Sequence, residues 1–116
     1  MAKADLPLSA LEGFADDFHA LPNQDVRKMA LDMLVLVRQR KVRGVKLGEH
    51  VKTGDLSDCY KLYFDPVGGI KPRFRLVYRF TPDEVTAVAI EAVAVGERKD
   101  LDAYLRAADR LGRISE

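Results

Sequence analysis

Between residues 59 and 80 the chain runs CYKLYFDPVGGIKPRFRLVYRF, and its side chains of the kinds that hold phosphate include a group of five: Lys61, Tyr63, Arg73, Arg75 and Arg79. A strand sends successive side chains to opposite faces. On that alternation Tyr60, Leu62 and Phe64 share a face, as do Phe74, Leu76, Tyr78 and Phe80, and the five polar groups fall together on the other. Arginine's planar fork can bond two phosphate oxygens at once. A plainer account is a solvated sheet face that charge keeps soluble. Against it, four of the five groups are cations, and like charges facing each other across strands destabilise a sheet. The residues alone leave both accounts open.

The 116 residues carry a net charge of only +1, which by itself names no polyanionic partner. The distribution is more telling: residues 60–80 carry +4, residues 1–59 carry 0 and residues 81–116 carry −3. Charge focused in this way can bind a polyanion although the total is near zero. No metal or cofactor is expected. His19 and His50 have no partners at ligand spacing and are expected at the surface without a role. Gly68 and Gly69 form a turn between strands, not a phosphate loop. The single cysteine, Cys59, cannot form an internal disulfide; it is expected to be a small buried hydrophobe in a cytoplasmic protein. A composition of 47% apolar and 32% charged residues suits one globular domain over residues 1–116. No apolar run reaches the ~18–20 residues of a membrane span, and no signal peptide opens the chain.

Several elements must position these groups. Residues 3–7 suggest a short edge strand. Ser9, with Glu12 three residues on, has the spacing of a capping box for a first helix carrying Leu8, Leu11, Phe14, Ala15 and Phe18, stopped by Pro22. Asn23 can cap a second helix with the stripe Val26, Met29, Ala30, Met33, Leu34 and Val37, ended by Gly44. Residues 45–58 read as a loop before the hairpin. A turn at 81–84 precedes VTAVAIEAVAV, which is apolar on both parities and so predicts a strand covered on both faces. GERK breaks it, and Leu101, Tyr104, Leu105, Ala108 and Leu111 mark a last helix over about 100–111. The expected fold is α+β: two antiparallel helices on a small antiparallel sheet of three to four strands, with a C-terminal helix.

DLSDCYKLYF, RFRLVYRF, AVGERKDLDAY and AADRL, in this order and spacing, resemble the RelE/ParE superfamily of bacterial toxins, most closely its RelE branch. The resemblance is strongest from Gly54 to Leu111 and implies the fold just described. RelE-like toxins cut messenger RNA in the ribosomal A site. Their motifs supply a lysine matched by Lys61, arginines matched by Arg75 and Arg98, and a tyrosine on the final helix matched by Tyr104. Where the family has a second lysine, this chain has Tyr63.

The resemblance therefore implies an endoribonuclease, neutralised by an antitoxin protein, that acts on mRNA on the ribosome. The alternatives are a ParE-like toxin that inhibits DNA gyrase by binding, or an inactive relative that serves as a binding module. In RNA cleavage of this type a 2′-hydroxyl attacks the adjacent phosphate, and no metal is needed. Lys61, Arg75 and Arg98 would stabilise the charge that develops. Tyr104 would be the general base, its pKa lowered by the cations around it. Tyr63, Arg73 and Arg79 would contact the RNA.

Overall fold

The computed structural model describes residues 5–50, 54–82, 85, 87–98 and 102–112. Helix α2 (Gln24–Arg38) starts where Asn23 holds an extended backbone and its side chain accepts a hydrogen bond from the Val26 amide. Val26, Ala30, Leu34 and Val37 recur every three or four residues and are buried. Each large side chain so removed from water contributes about 1.5–3 kcal/mol. The helix stops at Arg38, well before the expected Gly44: the C-cap is Gln39, and Arg40 then turns left-handed at φ 60°. Gly44 has another use. A Cβ there would meet the Lys61 carbonyl oxygen, so only glycine lets strand β2 (Val45–Lys46) reach strand β5 (Cys59–Phe64).

The first helix is also shorter than its pattern suggests. Helix α1 spans Phe14–His19, and its N-cap is Gly13 at φ 95° with no side-chain cap. Ser9 caps nothing. It lies in strand β1 (Leu8–Ala10), which pairs in parallel with strand β7 (Ala89–Glu97) through Leu8–Ile90, Ser9–Glu91 and Ala10–Ala92. The edge strand expected at 3–7 thus falls a few residues later, and residues 3 and 4 lie outside the described set. Local spacing favoured a helix from Ser9, but the unpaired edge of β7 offers this segment a ladder of backbone hydrogen bonds.

The sheet accordingly has five strands, not three or four, and is mixed, not purely antiparallel. With β6 spanning Phe74–Thr81, its order is β1-β7-β6-β5-β2. A separate ribbon of β3 (Glu49–His50) and β4 (Gly54–Asp55) forms within the segment read as a loop.

The hairpin pairs as parity demands: Tyr60 opposes Tyr78, Leu62 opposes Leu76 and Phe64 opposes Phe74. Their face packs against α1 and α2, with Phe14, Leu34 and Val37 in the core clusters there. In β7 the alternation breaks. Val77 pairs with Ala94 but Tyr78 pairs with Ala92, so one residue of β7 is bulged out. Ile90, Ala92 and Val95 therefore face α1 and α2, while Val93 and Ala94 face the opposite side.

That opposite side is not open, as the sequence had suggested. Helix α3 (Asp102–Arg110) covers much of it, burying Ala103, Tyr104, Ala107 and Ala108 against Cys59, Val77, Val93 and Ala94. The buried stripe is rotated from the expected one: Leu105 is exposed, and alanines bring the helix close to the sheet.

Candidate active site

Arg75 sits at the centre of the covered face. Its neighbours across the sheet are Tyr63 on β5 and Gly96 on β7. Gly96 adds no side chain to the row, and the Arg106 guanidinium of α3 fills the place where a Cβ would stand, donating to the Val95 carbonyl at 3.0 Å. The ring of Tyr104, on α3, lies 3.9 Å from the Arg75 guanidinium carbon. Arg75 is only 6% exposed, yet its Nε and Nη1 have no hydrogen-bond partner among the described residues. An unpaired buried donor costs about 1–3 kcal/mol, more when charged. Arg75 also lines an open cleft of about 430 Å³, with Lys71, Pro72, Arg73, Glu97 and Arg98.

Tyr63 gathers the other cations. Lys61, two residues earlier on the same strand face, donates to the Tyr63 hydroxyl at 2.8 Å. Arg98 stacks over the Tyr63 ring, its guanidinium carbon 3.7 Å from the centroid, and Arg75 stands at 5.5 Å. Arg98 is steered there by the end of β7: its amide donates to the Arg73 carbonyl, and its Nη1 to the Pro72 carbonyl. Among the described residues none of Lys61, Arg75 and Arg98 is in an ion pair.

The two tyrosines are pushed in opposite directions. Burial alone would raise the Tyr63 pKa. The donors Lys61, Tyr104 and Arg75, together with the Lys61 charge, outweigh it and bring it down to about 8. Of these three, only Lys61 forms a fully aligned hydrogen bond; the other two approach without one. Burial raises Tyr104 far above its ordinary value, and the neighbouring Tyr63 adds to the rise despite Arg75 and Arg98. The lowered phenol is therefore Tyr63, whereas Tyr104 stays neutral.

All four residues assigned to catalysis by sequence, Lys61, Arg75, Arg98 and Tyr104, come together around Tyr63. Arg73 and Arg79 do not join them. Arg73 makes a two-pronged pair with Asp65, Nε to Oδ2 at 2.7 Å and Nη2 to Oδ1 at 3.0 Å, which holds the Asp65 carboxyl well below its ordinary range. Arg79 donates to Glu91 at 2.8 Å and lies 3.6 Å from Asp58. Glu91 opposes Arg79 directly on β7, a partner that the hairpin sequence does not reveal. Cys59 is fully buried and His19 is exposed. The described residues hold no cluster of three or more His, Cys, Asp or Glu side chains suited to a metal, and no helix among them is long and apolar enough to cross a membrane.

Sequence reasoning missed a second polar centre beneath α3. Asp17, on α1, accepts from Arg110 through both carboxylate oxygens, at 2.6 and 2.8 Å, and from the Val95 amide at 3.1 Å. Arg106 Nε lies 3.1 Å from Asp17 Oδ1, an ion pair without hydrogen-bond alignment. Its only sequence signal is an acid on an otherwise buried helix stripe.

Two helices on one face of a five-stranded sheet, a short helix on the other and a cationic row beneath it define a class of small α+β domain. Its architecture is that of the toxin RelE. The chain matches the structure of E. coli toxin RelE, a double arginine-to-alanine mutant in the free state, at a TM-score of 0.67 and 23% identity, over 92% of this chain and 98% of that one. It matches the isolated E. coli RelE toxin at a TM-score of 0.56 and 22% identity, over 91% and 98% of the two chains. No family profile matches the sequence, and no curated protein does. The fold is RelE-like.

Proposed function

We propose that this protein is a RelE-like toxin, an endoribonuclease that cuts mRNA on the ribosome by attack of a 2′-hydroxyl on the adjacent phosphate. The observation that carries the proposal is Arg75: a buried guanidinium with two unpartnered nitrogens, lining a cleft. A phosphate would supply the missing acceptors, and Arg75's fork suits one. The RelE-like fold supports the assignment, as do Lys61 and Arg98 beside it without ion pairs. In this scheme Arg75 holds the scissile phosphate. Lys61 and Arg98 stabilise the charge gained in the transition state, usually the largest catalytic contribution. Tyr104 supports Arg75 from the helix side through its ring. Arg73 and Arg79, held by carboxylates, contact RNA flanking the cut only if those pairs open. An antitoxin protein would neutralise the toxin by covering this cationic row.

The test is to induce the protein and map RNA ends. Cuts should appear within open reading frames, in phase with codons, and only where translation proceeds. Intact messages alongside stalled gyrase–DNA complexes would assign the protein to a ParE-like action instead.

A further inference from the structure

We infer that Tyr63 is the proton acceptor of this site, the group that takes the proton from the attacking 2′-hydroxyl; this rests on the endoribonuclease proposal above. The geometry comes first. Tyr63 is half-buried, and its hydroxyl is not among the buried unpartnered oxygens, whereas Tyr104 is buried and its hydroxyl is. The Tyr63 oxygen accepts a hydrogen bond from the Lys61 ammonium at 2.8 Å, and the Arg98 guanidinium carbon lies 3.7 Å from the ring centroid. Arg75 faces it directly across the β5–β6 pair. The groups facing Tyr63 are therefore Lys61 on its own strand, Arg75 on β6, Arg98 after β7 and the neutral Tyr104 on α3. Among the described residues three of these are cations and none is an acid. Such surroundings favour a phenolate over a phenol.

The electrostatics agree with the geometry. A pKa of about 8 leaves roughly a tenth of Tyr63 ionised at neutral pH, about a hundredfold more than an ordinary tyrosine near 10. Tyr104, raised and buried, cannot play this part at working pH.

The step balances as follows. The Tyr63 phenolate takes the 2′-hydroxyl proton as the 2′-oxygen bonds to phosphorus. The bond from phosphorus to the 5′-oxygen breaks, and that oxygen takes a proton from solvent water. The products are a 2′,3′-cyclic phosphate and a 5′-hydroxyl. Tyr63 then returns its proton to water.

Two measurements on the whole protein test the proposal. The first follows phenolate absorbance in the near ultraviolet through a pH titration of the wild type, Tyr63→Phe and Tyr104→Phe. One tyrosine should ionise at about pH 8, and that step should vanish in Tyr63→Phe and persist in Tyr104→Phe. A lowest step near pH 10, or one that survives in Tyr63→Phe, overturns the proposal. The second is single-turnover cleavage of mRNA on programmed ribosomes against pH. The wild-type rate should rise with pH and level off at about 8, and Tyr63→Phe should lose about 10²–10⁴ in rate together with that break, at an unchanged melting temperature. Wild-type rates and an unchanged profile in Tyr63→Phe overturn the acceptor role. A step at pH 8 in a wild-type protein that cuts no RNA sinks the endoribonuclease proposal instead, whereas intact cutting without the step sinks this one alone.

Discussion

Two arginine centres meet helix α3 and obey opposite rules. At one, Arg110 gives two hydrogen bonds to Asp17 and a third to the Val93 carbonyl. At the other, Arg75 is more deeply buried than Arg110 and, among the described residues, leaves two nitrogens unpartnered. The first centre ties α1, β7 and α3 into one unit, and there even Arg106 Nε, without an aligned hydrogen bond, has the Asp17 carboxylate at 3.1 Å. The unsatisfied one ties nothing that a neutral side chain could not. A folded protein keeps an unpaired buried cation at a cost to its stability, so such a cation marks where an anion is expected to arrive.

Breaking each centre should separate these roles. Arg75→Ala should lower cleavage by about 10²–10³, the usual loss for one transition-state donor. Its stability to urea should stay within about 1 kcal/mol of wild type, since the lost contact with the Tyr104 ring is offset by removing two unpaired donors. Asp17→Ala should do the reverse and destabilise the fold by about 3 kcal/mol. That is the lower end of the range for breaking a buried pair, because Arg106 is partly exposed and can recover water. Cleavage per folded molecule should hardly change.

Acid sharpens the same contrast. The Asp17 pKa is lowered: burial pushes it up, but Arg110, the Val95 amide and Arg106 outweigh that. Below the ordinary aspartate range the unfolded chain binds the proton first. The contribution of Asp17 is therefore complete above about pH 4 and is lost as pH falls through its lower folded value. Melting temperatures from pH 7 down to pH 2 should fall less steeply in Asp17→Asn than in the wild type. Arg98→Ala, at an exposed position where water weakens charge effects, should cost only about tenfold in cleavage and nothing measurable in stability. The exposed Lys28–Asp32 pair, at 3.6 Å on α2, belongs to neither centre; Lys28→Ala should change stability by about 0.3–0.5 kcal/mol, read from urea midpoints.

The sequence showed how the hairpin divides its side chains but not what would cover them. Strand parity placed Lys61, Tyr63 and Arg75 on one face, and the Asn23 cap and α2 stripe followed from local spacing alone. What escaped depended on distant partners. Parity says nothing of α3 lying over Arg75, so that residue was expected in the open. The bulge in β7 hid behind a run that is apolar on both parities. Ser9 has the spacing of a cap, but β7, about 80 residues away, claimed its segment for a strand. The roles of the two tyrosines turn on burial and hydrogen bonding, which residue type and spacing do not record.

Asp17 and Arg110 are 93 residues apart in the chain. At a synthesis rate of about 5–20 residues per second, Asp17 is made roughly 5–20 s before its partner. Through most of that interval β1 lacks the strand it pairs with, and through all of it the first helix lacks its Arg110 anchor. Arg98 and Tyr104 also come late, so the cleft cannot be assembled before residue 104 is made. Chain order thus acts as a timer: a nascent copy of this protein does not hold both the Arg98 and Tyr104 groups until residue 104 has been added.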